Sequence, residues 1–382
     1  MYLTDEHIEL KTLVRKIADE KIQPLSVELD ETGRFPIELY KQLGELGLFG
    51  VCVPEKYGGP QLDVLSYAIV MEELSRGYAS VADQCGLVEL ITTLLVDYGT
   101  EEQCLKYLRN ILSLKTLVAY CITEPEAGTD VSNIRTKAEK IGDGWLLNGN
   151  KIWIHNAPIA DLGFVLAKTN PNSKHHGMSV LIVDLNSKGV TKGKKEKKLG
   201  QSSSQVGTLT FDNVKLPKDA LLGEEGEGFQ IMMRVLNKGR VGIAALAVGI
   251  AQSGLELALD YAHQRKQFGR EIAKFQGMQW LIADMAKDIE AARLLVHSAA
   301  TKIDNGENAT NACSMAKCFA SDIAVARTSD AIQVFGGSGY IRGFIVERLY
   351  RDAKITQIYE GTNQIQRSII FREVARQRSL NQ

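Results

Sequence analysis

The stretch RDAKITQIYEGTNQIQR, residues 351–367, lies near the end of the 382-residue chain and is its most informative part. A glutamate in this stretch, Glu360, stands between Tyr359 and Gly361. Such a glutamate is either a general base or a carboxylate that satisfies the free N–H groups at the start of a helix. The rest of the chain decides between these two interpretations.

Long helices are predicted for the last third of the chain, residues 228–382. Its apolar residues recur three and four positions apart, as they do on the packed faces of bundle helices. We therefore expect a long-helix bundle there. The clearest run is Phe275, Met278, Ile282, Met285, Ile289, Ala292 and Val296.

The middle of the chain, residues 117–227, has a different pattern. Short β-branched and aromatic runs alternate there with turn residues such as Gly142-Asp143-Gly144. This alternation is typical of strands joined by tight turns, and it predicts an antiparallel sheet or small barrel. The predicted strands are Leu117 to Ile122, Trp145 to Leu147, Lys151 to Ile154, Phe164 to Ala167, Met178 to Val183 and Thr208 to Phe211.

The first third, residues 1–116, has helical spacing. Thr4 is a predicted N-cap, and Leu10, Val14 and Ile17 share one helix face before Pro24 ends or bends the helix. The predicted fold is α+β, mainly α, with an N-terminal helical domain, a middle antiparallel β domain and a C-terminal long-helix bundle. Further helices are predicted for Pro36 to Leu46, Leu62 to Leu74, Ala82 to Val96 and Glu101 to Leu112.

Composition excludes several classes of partner. The net charge of −1 gives no general attraction for nucleic acid or acidic membranes. No uninterrupted apolar run reaches the roughly 18 residues of a membrane span, so we expect no membrane insertion and a cytoplasmic location. The six cysteines are scattered without a CxxC pair, which favours reduced core thiols over a disulfide framework or a metal site.

Motifs for other chemistries are absent from the sequence. It has no Walker A loop, HExxH, GxSxG or Rossmann fingerprint, so hydrolytic, kinase and metalloprotease functions have no support. The uncharged run Gly336-Gly337-Ser338-Gly339 follows a predicted helix and offers a backbone cradle that can approach a ligand closely.

The stretch from Ile358 to Arg367, IYEGTNQIQR, resembles the catalytic segment of the acyl-CoA dehydrogenase family. Four further segments fit the same family in order: YCITEPEAGTD (residues 120–130), NGNKIW (148–153), RKQFG (265–269) and QVFGG (333–337). The resemblance covers essentially the whole chain, and the α-β-α order that it implies agrees with the pattern above. It implies FAD as cofactor, an acyl-CoA substrate, electron transfer to electron-transfer flavoprotein, and a homotetramer that shares FAD between subunits.

The resemblance makes Glu360 the catalytic base. Oxidation of a Cα–Cβ bond beside a thioester requires removal of the α-proton by a fixed base and of the β-hydride by a fixed acceptor, here the flavin N5. Desolvation should raise the pKa of Glu360 into a useful range. In the family, the backbone N–H of this glutamate and a flavin ribityl hydroxyl stabilise the thioester carbonyl.

Matching positions imply further site residues. The expected FAD-binding residues are Thr123, Trp153, His155, Arg265, Phe268, Gln333, Gly337, Thr362 and Gln364. The expected substrate-binding residues are Glu89, Thr129, Arg240, Tyr359, Gly361 and Arg372. Of these, the resemblance implies that Thr129, Arg240 and Arg372 contact CoA.

Two positions depart from the family. His155 replaces a small hydroxyl residue that hydrogen-bonds the flavin N5 region, so it either donates to the flavin or turns toward its strand neighbours. Glu89 lies in an apolar helix that forms part of the acyl pocket in the family. It either faces that pocket, or it points outward or pairs with a neighbouring helix. Thr92 and Thr93 make this helix end polar, which argues against a long straight-chain pocket and favours a short, branched or alicyclic acyl group.

Alternative functions remain open at this stage. An acyl-CoA oxidase or a flavin monooxygenase would keep the fold but react with oxygen. A non-catalytic CoA-binding helical protein would lack the base or the flavin residues, whereas Glu360 and Gln333 are both present.

Overall fold

The computed structural model describes residues 3–170, 172, 173 and 175–380. The first third of the chain is helical, as predicted. Its helices are α1 (Asp5–Ile17), α2 (Ser26–Thr32), α3 (Ile37–Glu45), α4 (Val64–Gly77), α5 (Ala79–Tyr98) and α6 (Glu101–Leu112).

Thr4 caps α1, as predicted. Its hydroxyl accepts from the His7 N–H at 3.3 Å, and its own N–H donates to the His7 ring at 3.3 Å, which forms a reciprocal capping box. Pro24 bends the chain and does not end the helical region, because it lies in the short 3₁₀ turn Gln23–Leu25 that leads directly into α2.

The middle segment is a sheet. Its strands are β1 (Val118–Cys121), β2 (Lys137–Ile141), β3 (Gly144–His155), β4 (Leu162–Lys168), β5 (Met178–Asp184), β6 (Val190–Lys192), β7 (Val206–Leu216) and β8 (Leu221–Leu222). The order is β6-β7-β3-β2-β4-β5-β8, and β1 also pairs with β4. β1 runs parallel to β4, with Val118 opposite Leu162, and β2 contacts β4 in parallel at one residue pair. A parallel pair needs a crossover connection, which β2 and β3 supply here. The other described pairings are antiparallel.

The last third forms the predicted bundle of long helices. These are α7 (Gly228–Gln264), α8 (Gln276–Asp304), α9 (Thr310–Phe335), α10 (Ile345–Lys354) and α11 (Asn363–Leu380), and a small hairpin of β9 (Lys266–Gln267) and β10 (Arg270–Glu271) follows α7. Helix α7 is central, since every residue from Gly239 to Ala251 is buried. Its small residues there let α4, α5 and α9 approach closely.

Within the described chain, two helices are long and apolar enough to cross a membrane by length and composition alone. They are α5 and α7, and 83% and 78% of their apolar windows are buried inside the protein. Their apolar surfaces are therefore used by the fold itself. The six cysteines are free, and five of them are buried.

Arg351, at the start of the stretch quoted first, ties the three parts of the chain together. Its guanidinium donates to Asp30 of α2 at 2.6 Å and to the Leu199 carbonyl, in the loop before β7, at 3.2 Å. The next residue, Asp352, accepts from the Gln201 N–H of the same loop. The segment that leads to Glu360 is thus fixed against both the helical and the β parts.

Candidate active site

Glu360 lies in the loop between α10 and α11, with its carboxylate against α7. Its φ of +51° is a left-handed conformation that residues other than glycine rarely adopt. A Cβ atom on Gly239 of α7 would lie 2.3 Å from Glu360 Oε2, so the carboxylate rests on bare helix backbone. Among the described residues, the buried Oε2 has no hydrogen-bond partner. This oxygen is therefore free to take a proton from a ligand.

Buried polar side chains hold the Glu360 loop in place. Lys317 Nζ, on α9, donates to the Gly361 carbonyl at 2.8 Å and to Asn363 Oδ1 at 3.0 Å. Gln366 Nε2 donates to the carbonyls of Glu360 and Gly361 at 3.3 and 3.1 Å. Because the carbonyls of the strained residue and of the residue after it have donors, the surroundings can maintain its conformation.

The surroundings of Glu360 bring its ionisation close to neutral pH. Burial raises the pKa of Glu360 to about 7, and the carboxylate of Asp83 also raises it, while Lys317 and Arg240 lower it. Burial in turn lowers the pKa of Lys317 to about 8. A carboxyl group with a pKa near the working pH is suited to general base catalysis.

Three predicted site residues share an unusual backbone conformation. Trp153, Phe268 and Glu360 have φ angles of +55°, +52° and +51°. Positive φ angles at non-glycine residues store strain and cluster at functional sites. Five other described non-glycine residues share this conformation, so the strain agrees with the prediction but does not single out these three residues.

Thr123 and Trp153 are neighbours on the β domain. The Ile152 N–H donates to the Thr123 carbonyl at 3.0 Å, and Trp153 is 61% exposed. The adjacent Lys151 is fully buried and donates to Glu124 at 2.8 Å. This buried ion pair fixes the backbone next to Trp153. The exposed indole ring of Trp153 is accessible to a flat ligand.

His155 pairs with Asp83 of α5 and not with its strand neighbours. His155 Nδ1 lies 3.2 Å from Asp83 Oδ2, and Asp83 also accepts from Ser204 Oγ at 2.9 Å. Burial lowers the pKa of His155, against the opposing effect of Asp83. A neutral ring with its proton on Nδ1 leaves Nε2, which is buried and has no partner in the described chain, as an acceptor.

Asp83 is a site residue that the sequence reasoning missed. It contacts His155 and raises the pKa of Glu360, although His155 and Glu360 lie in different parts of the chain. The available signal was the one charged residue among the mostly small and apolar residues 79–86 at the start of α5.

Four predicted cofactor residues lie at the far end of the bundle. Arg265 follows α7 directly, Phe268 is 93% exposed in the β9–β10 turn, and Gln333 and Gly337 are exposed at the end of α9. Stacking of Tyr261 on the Phe335 ring, with 4.1 Å between centroids, brings these two helix ends together. At a rise of 1.5 Å per residue, Arg265 lies about 39 Å along α7 from Gly239. The structure therefore does not bring these residues to the Glu360 of the same chain.

The residues that flank Glu360 have separate positions. Thr362 is half-buried, and its hydroxyl accepts from the Ile365 N–H at 3.3 Å at the start of α11, while Gln364 is exposed. Burial raises the pKa of Tyr359, whose buried hydroxyl has no partner in the described chain.

The predicted CoA-binding residues are divided between surface and interior. Thr129 and Arg372 are exposed. Arg240 is buried, donates to Asn237 Oδ1 at 2.9 Å, and burial lowers its pKa. Because Arg240 also lowers the pKa of Glu360, its position favours an electrostatic role beside the base over contact with CoA phosphates.

Glu89 pairs with a neighbouring helix, the second of the two interpretations given above. Its Oε1 accepts from Lys238 of α7 at 2.6 Å and from the Cys52 N–H at 3.3 Å, and Lys238 also donates to Thr93 at 3.1 Å. Burial alone would lower the pKa of Lys238, but the Glu89 carboxylate outweighs it and the pKa is raised. The pair borders a cavity of about 420 Å³ that Glu360 does not line.

Comparison with known proteins now assigns the family. Models of the N-terminal, middle and C-terminal domains of acyl-CoA dehydrogenases match residues 4–115, 119–214 and 226–375. The chain belongs to the acyl-CoA dehydrogenase family. It is therefore an oxidoreductase that acts on CH–CH groups and depends on FAD.

Relatives of this acyl-CoA dehydrogenase family member match over almost their whole length. An acyl-CoA dehydrogenase of Bacillus subtilis (strain 168) is 47% identical over 371 residues, which are 97% of this chain and 98% of the relative. Subunit CarC of the caffeyl-CoA reductase-Etf complex of Acetobacterium woodii is 42% identical, with 97% and 98% covered. The solved structure of butyryl-CoA dehydrogenase from Megasphaera elsdenii superposes with a TM-score of 0.95 at 42% identity and covers 98% and 99% of the two chains.

The residues present fit FAD. The exposed Trp153 ring offers a flat contact, and His155 Nε2 is a buried acceptor without a partner in the described chain. A Cβ atom on Gly337 would meet nothing within 4 Å, which leaves an open backbone cradle at the other end of the bundle.

Proposed function

We propose that the protein oxidises a short, branched or alicyclic acyl-CoA to its 2-enoyl-CoA, with Glu360 as the base that removes the α-proton. The observation that carries the proposal is the buried, unpartnered Oε2 of Glu360 on a carboxyl group whose pKa is about 7. The name of the Megasphaera relative, butyryl-CoA dehydrogenase, supports a short acyl group.

The proposed reaction removes a proton and a hydride from adjacent carbons. The α-proton passes to Glu360 Oε2, the electron pair of that C–H bond becomes the second Cα–Cβ bond, and the β-hydrogen leaves with its bonding electrons. When bound, FAD supplies the acceptor for this hydride at N5. The protein contributes the position and the basicity of Glu360.

The thioester carbonyl becomes more negative as the α-proton leaves. Among the described residues, the backbone N–H of Glu360 donates to no protein acceptor. This N–H is available to the carbonyl oxygen, which would join proton removal and charge stabilisation in one residue. Thr129 and Arg372, both exposed, are proposed to contact CoA at the mouth of the site.

The proposed electron acceptor is electron-transfer flavoprotein. The Acetobacterium relative is a subunit of a complex with such a protein, as its name states. Transfer to a protein partner distinguishes this proposal from an oxidase or a monooxygenase.

The proposed assembly is a homotetramer in the cytoplasm. Glu360 and the Arg265–Gln333 end of the bundle are about 39 Å apart along α7, too far for one cofactor to reach both within a chain. A neighbouring subunit would supply the second set. Large exposed apolar side chains support such contacts; they include Phe268 (93%), Tyr340 (86%), Phe371 (76%) and Trp280 (63%). The free cysteines agree with a reducing compartment.

The test is anaerobic titration of the flavin-loaded protein with straight, branched, dicarboxylic and alicyclic acyl-CoAs. We expect one class of acyl-CoA to bleach the flavin. We expect Glu360→Gln to bind the same acyl-CoA, with a rate of flavin reduction lower by several orders of magnitude. Glu38→Gln on the exposed face of α3 is the matched control and should behave as wild type. Near-normal reduction by Glu360→Gln would remove Glu360 from the mechanism.

A further inference from the structure

We propose that the hydroxyl end of Tyr67 is the floor of the acyl pocket and sets the maximum length of the acyl chain. The inference rests on the proposed function, because it takes Glu360 as the group beside the α-carbon. It assigns chain-length selection to a residue of α4 that no motif singles out.

The Tyr67 phenol end is wedged between α5 and α7. A Cβ atom on Gly242 of α7 would lie 2.1 Å from Tyr67 Oη and 2.8 Å from Cζ. A Cβ atom on Gly86 of α5 would lie 3.5 Å from the same Oη. Tyr67 is 1% exposed, so the ring fills the space between the two helices.

Tyr67 and Glu360 meet the same face of α7. Gly239, against which the Glu360 carboxylate lies, and Gly242, against which the Tyr67 hydroxyl lies, are three residues apart. Residues three apart are neighbours on one helix face, about 4.5 Å apart along the axis. The Tyr67 hydroxyl is therefore roughly one helical turn beyond the base.

The acyl tail must run from Glu360 toward Tyr67. On the N-terminal side of Gly239, buried apolar residues alternate with charged and polar ones, since Lys238 and Asn237 are half-buried and Arg234 is exposed, so this side reaches solvent. On the C-terminal side, every residue to Ala251 is buried. The charged phosphates of CoA stay with solvent, and the apolar tail therefore enters the buried side.

The axial separation between the base and the Tyr67 hydroxyl is short. About 4.5 Å along α7 leaves room for only a few carbons beyond the α-carbon. Among the described residues, none hydrogen-bonds to the Tyr67 hydroxyl, so the floor is a polar group that a longer apolar chain would have to cover. Both the volume and the polarity of the floor select against long chains.

Glu89, the polar residue that the sequence suggested as a limit on the pocket, is less well placed for this role. Its Oε1 is bound to Lys238, and the pair borders a cavity that Glu360 does not line. Tyr67, not Glu89, lies on the α7 face that carries the base.

The experiment compares the flavin-loaded wild type, Tyr67→Ala and Tyr67→Phe with butyryl-CoA and octanoyl-CoA. We expect the ratio of kcat/KM for octanoyl-CoA to that for butyryl-CoA to rise by about ten- to hundredfold in Tyr67→Ala, as removal of a pocket wall should allow. Tyr67→Phe removes only the hydroxyl and keeps the ring, so its ratio should lie between those of wild type and Tyr67→Ala. An unchanged ratio in Tyr67→Ala would overturn the inference.

A binding measurement separates this inference from the proposed function. Binding of the unreactive thioethers S-butyl-CoA and S-octyl-CoA does not require proton removal by Glu360, and the same shift toward the octyl compound is expected in their dissociation constants. If the wild type binds the thioethers but none of the acyl-CoAs reduces its flavin, the proposed function fails. The role of Tyr67 can still be tested by thioether binding. If Tyr67→Ala does not fold, Tyr67→Leu, which also removes the hydroxyl end, must show the shift.

Discussion

Residue 239 can only be glycine if Glu360 is to keep its position, because a Cβ atom at 239 would lie 2.3 Å from Glu360 Oε2. The helix backbone thus forms one wall of the site. This contact joins the centre of α7 to the loop before α11, and it makes the orientation of the carboxylate depend on a residue with no chemistry of its own.

Gly239→Ala should reduce the rate of flavin reduction by about a hundredfold, since a displacement of about 1 Å has effects of this size. Flavin content should be retained, because alanine is a better helix former than glycine by about 1 kcal/mol. Stopped-flow reduction measures the effect. The control is Gly254→Ala on the same helix, where the new Cβ would meet Ala331 at an ordinary 3.5 Å; equal rates for the two variants would contradict the prediction.

The pH dependence of kcat/KM should have a rising limb near pH 7, because Glu360 must be ionised to act and burial raises its pKa to about 7. Asp83→Asn removes a charge that raises this pKa, so the limb should move to lower pH. Lys317→Met removes a charge that lowers it, so the limb should move to higher pH. If the rising limb moved in the same direction in both variants, this electrostatic account would be ruled out.

Glu360→Gln should stabilise the protein more at high pH than at low pH. The folded-state pKa of Glu360 is raised from 4.5 to about 7. Proton binding by Glu360 therefore favours the folded state, and this contribution is fully present below pH 4.5 and is lost as pH rises through about 7. Glutamine cannot ionise, so the difference in free energy of unfolding between variant and wild type should grow across that window. Denaturant unfolding at several pH values measures it, and a constant difference would refute the account.

Breaking the Glu89–Lys238 pair should destabilise the fold by about 3–5 kcal/mol, because Glu89→Gln leaves the Lys238 charge, whose side chain is 14% exposed, without its partner. The double variant Glu89→Leu with Lys238→Met should recover most of the loss. Glu20→Gln, which breaks the exposed Lys16–Glu20 pair, is the control and should cost less than about 1 kcal/mol. A Glu89→Gln protein as stable as wild type would show that the pair contributes little.

The sequence predicted the elements that depend on local pattern. The three-and-four spacing of Phe275 to Val296 predicted α8, and the IYEGTNQIQR stretch indicated the family that the comparisons confirm. The short β-branched runs predicted most of the sheet, while the parallel position of β1 beside β4 depends on the path of the whole chain, which no local run encodes.

Contacts between distant parts of the chain could not be predicted. His155 is on β3 and its partner Asp83 is on α5, and nothing in either segment indicates the other. Gly239, Gly242 and Tyr67 look like ordinary helix residues in sequence, and their role follows only from the close packing of α4, α5 and α7. Glu89 looked out of place in its helix because its counter-ion, Lys238, lies 149 positions further along.

The Arg351–Asp30 ion pair has a consequence for how the molecule can be cut or recombined. Arg351 and Asp352 reach α2 and the loop before β7 at once, one turn before the segment that presents Glu360. A chimera that exchanged the C-terminal bundle alone would leave a buried guanidinium and a buried carboxylate facing foreign surfaces. The three parts of this chain are therefore not independently exchangeable. A transfer of its active site to another protein must include Asp30 and residues 199–201.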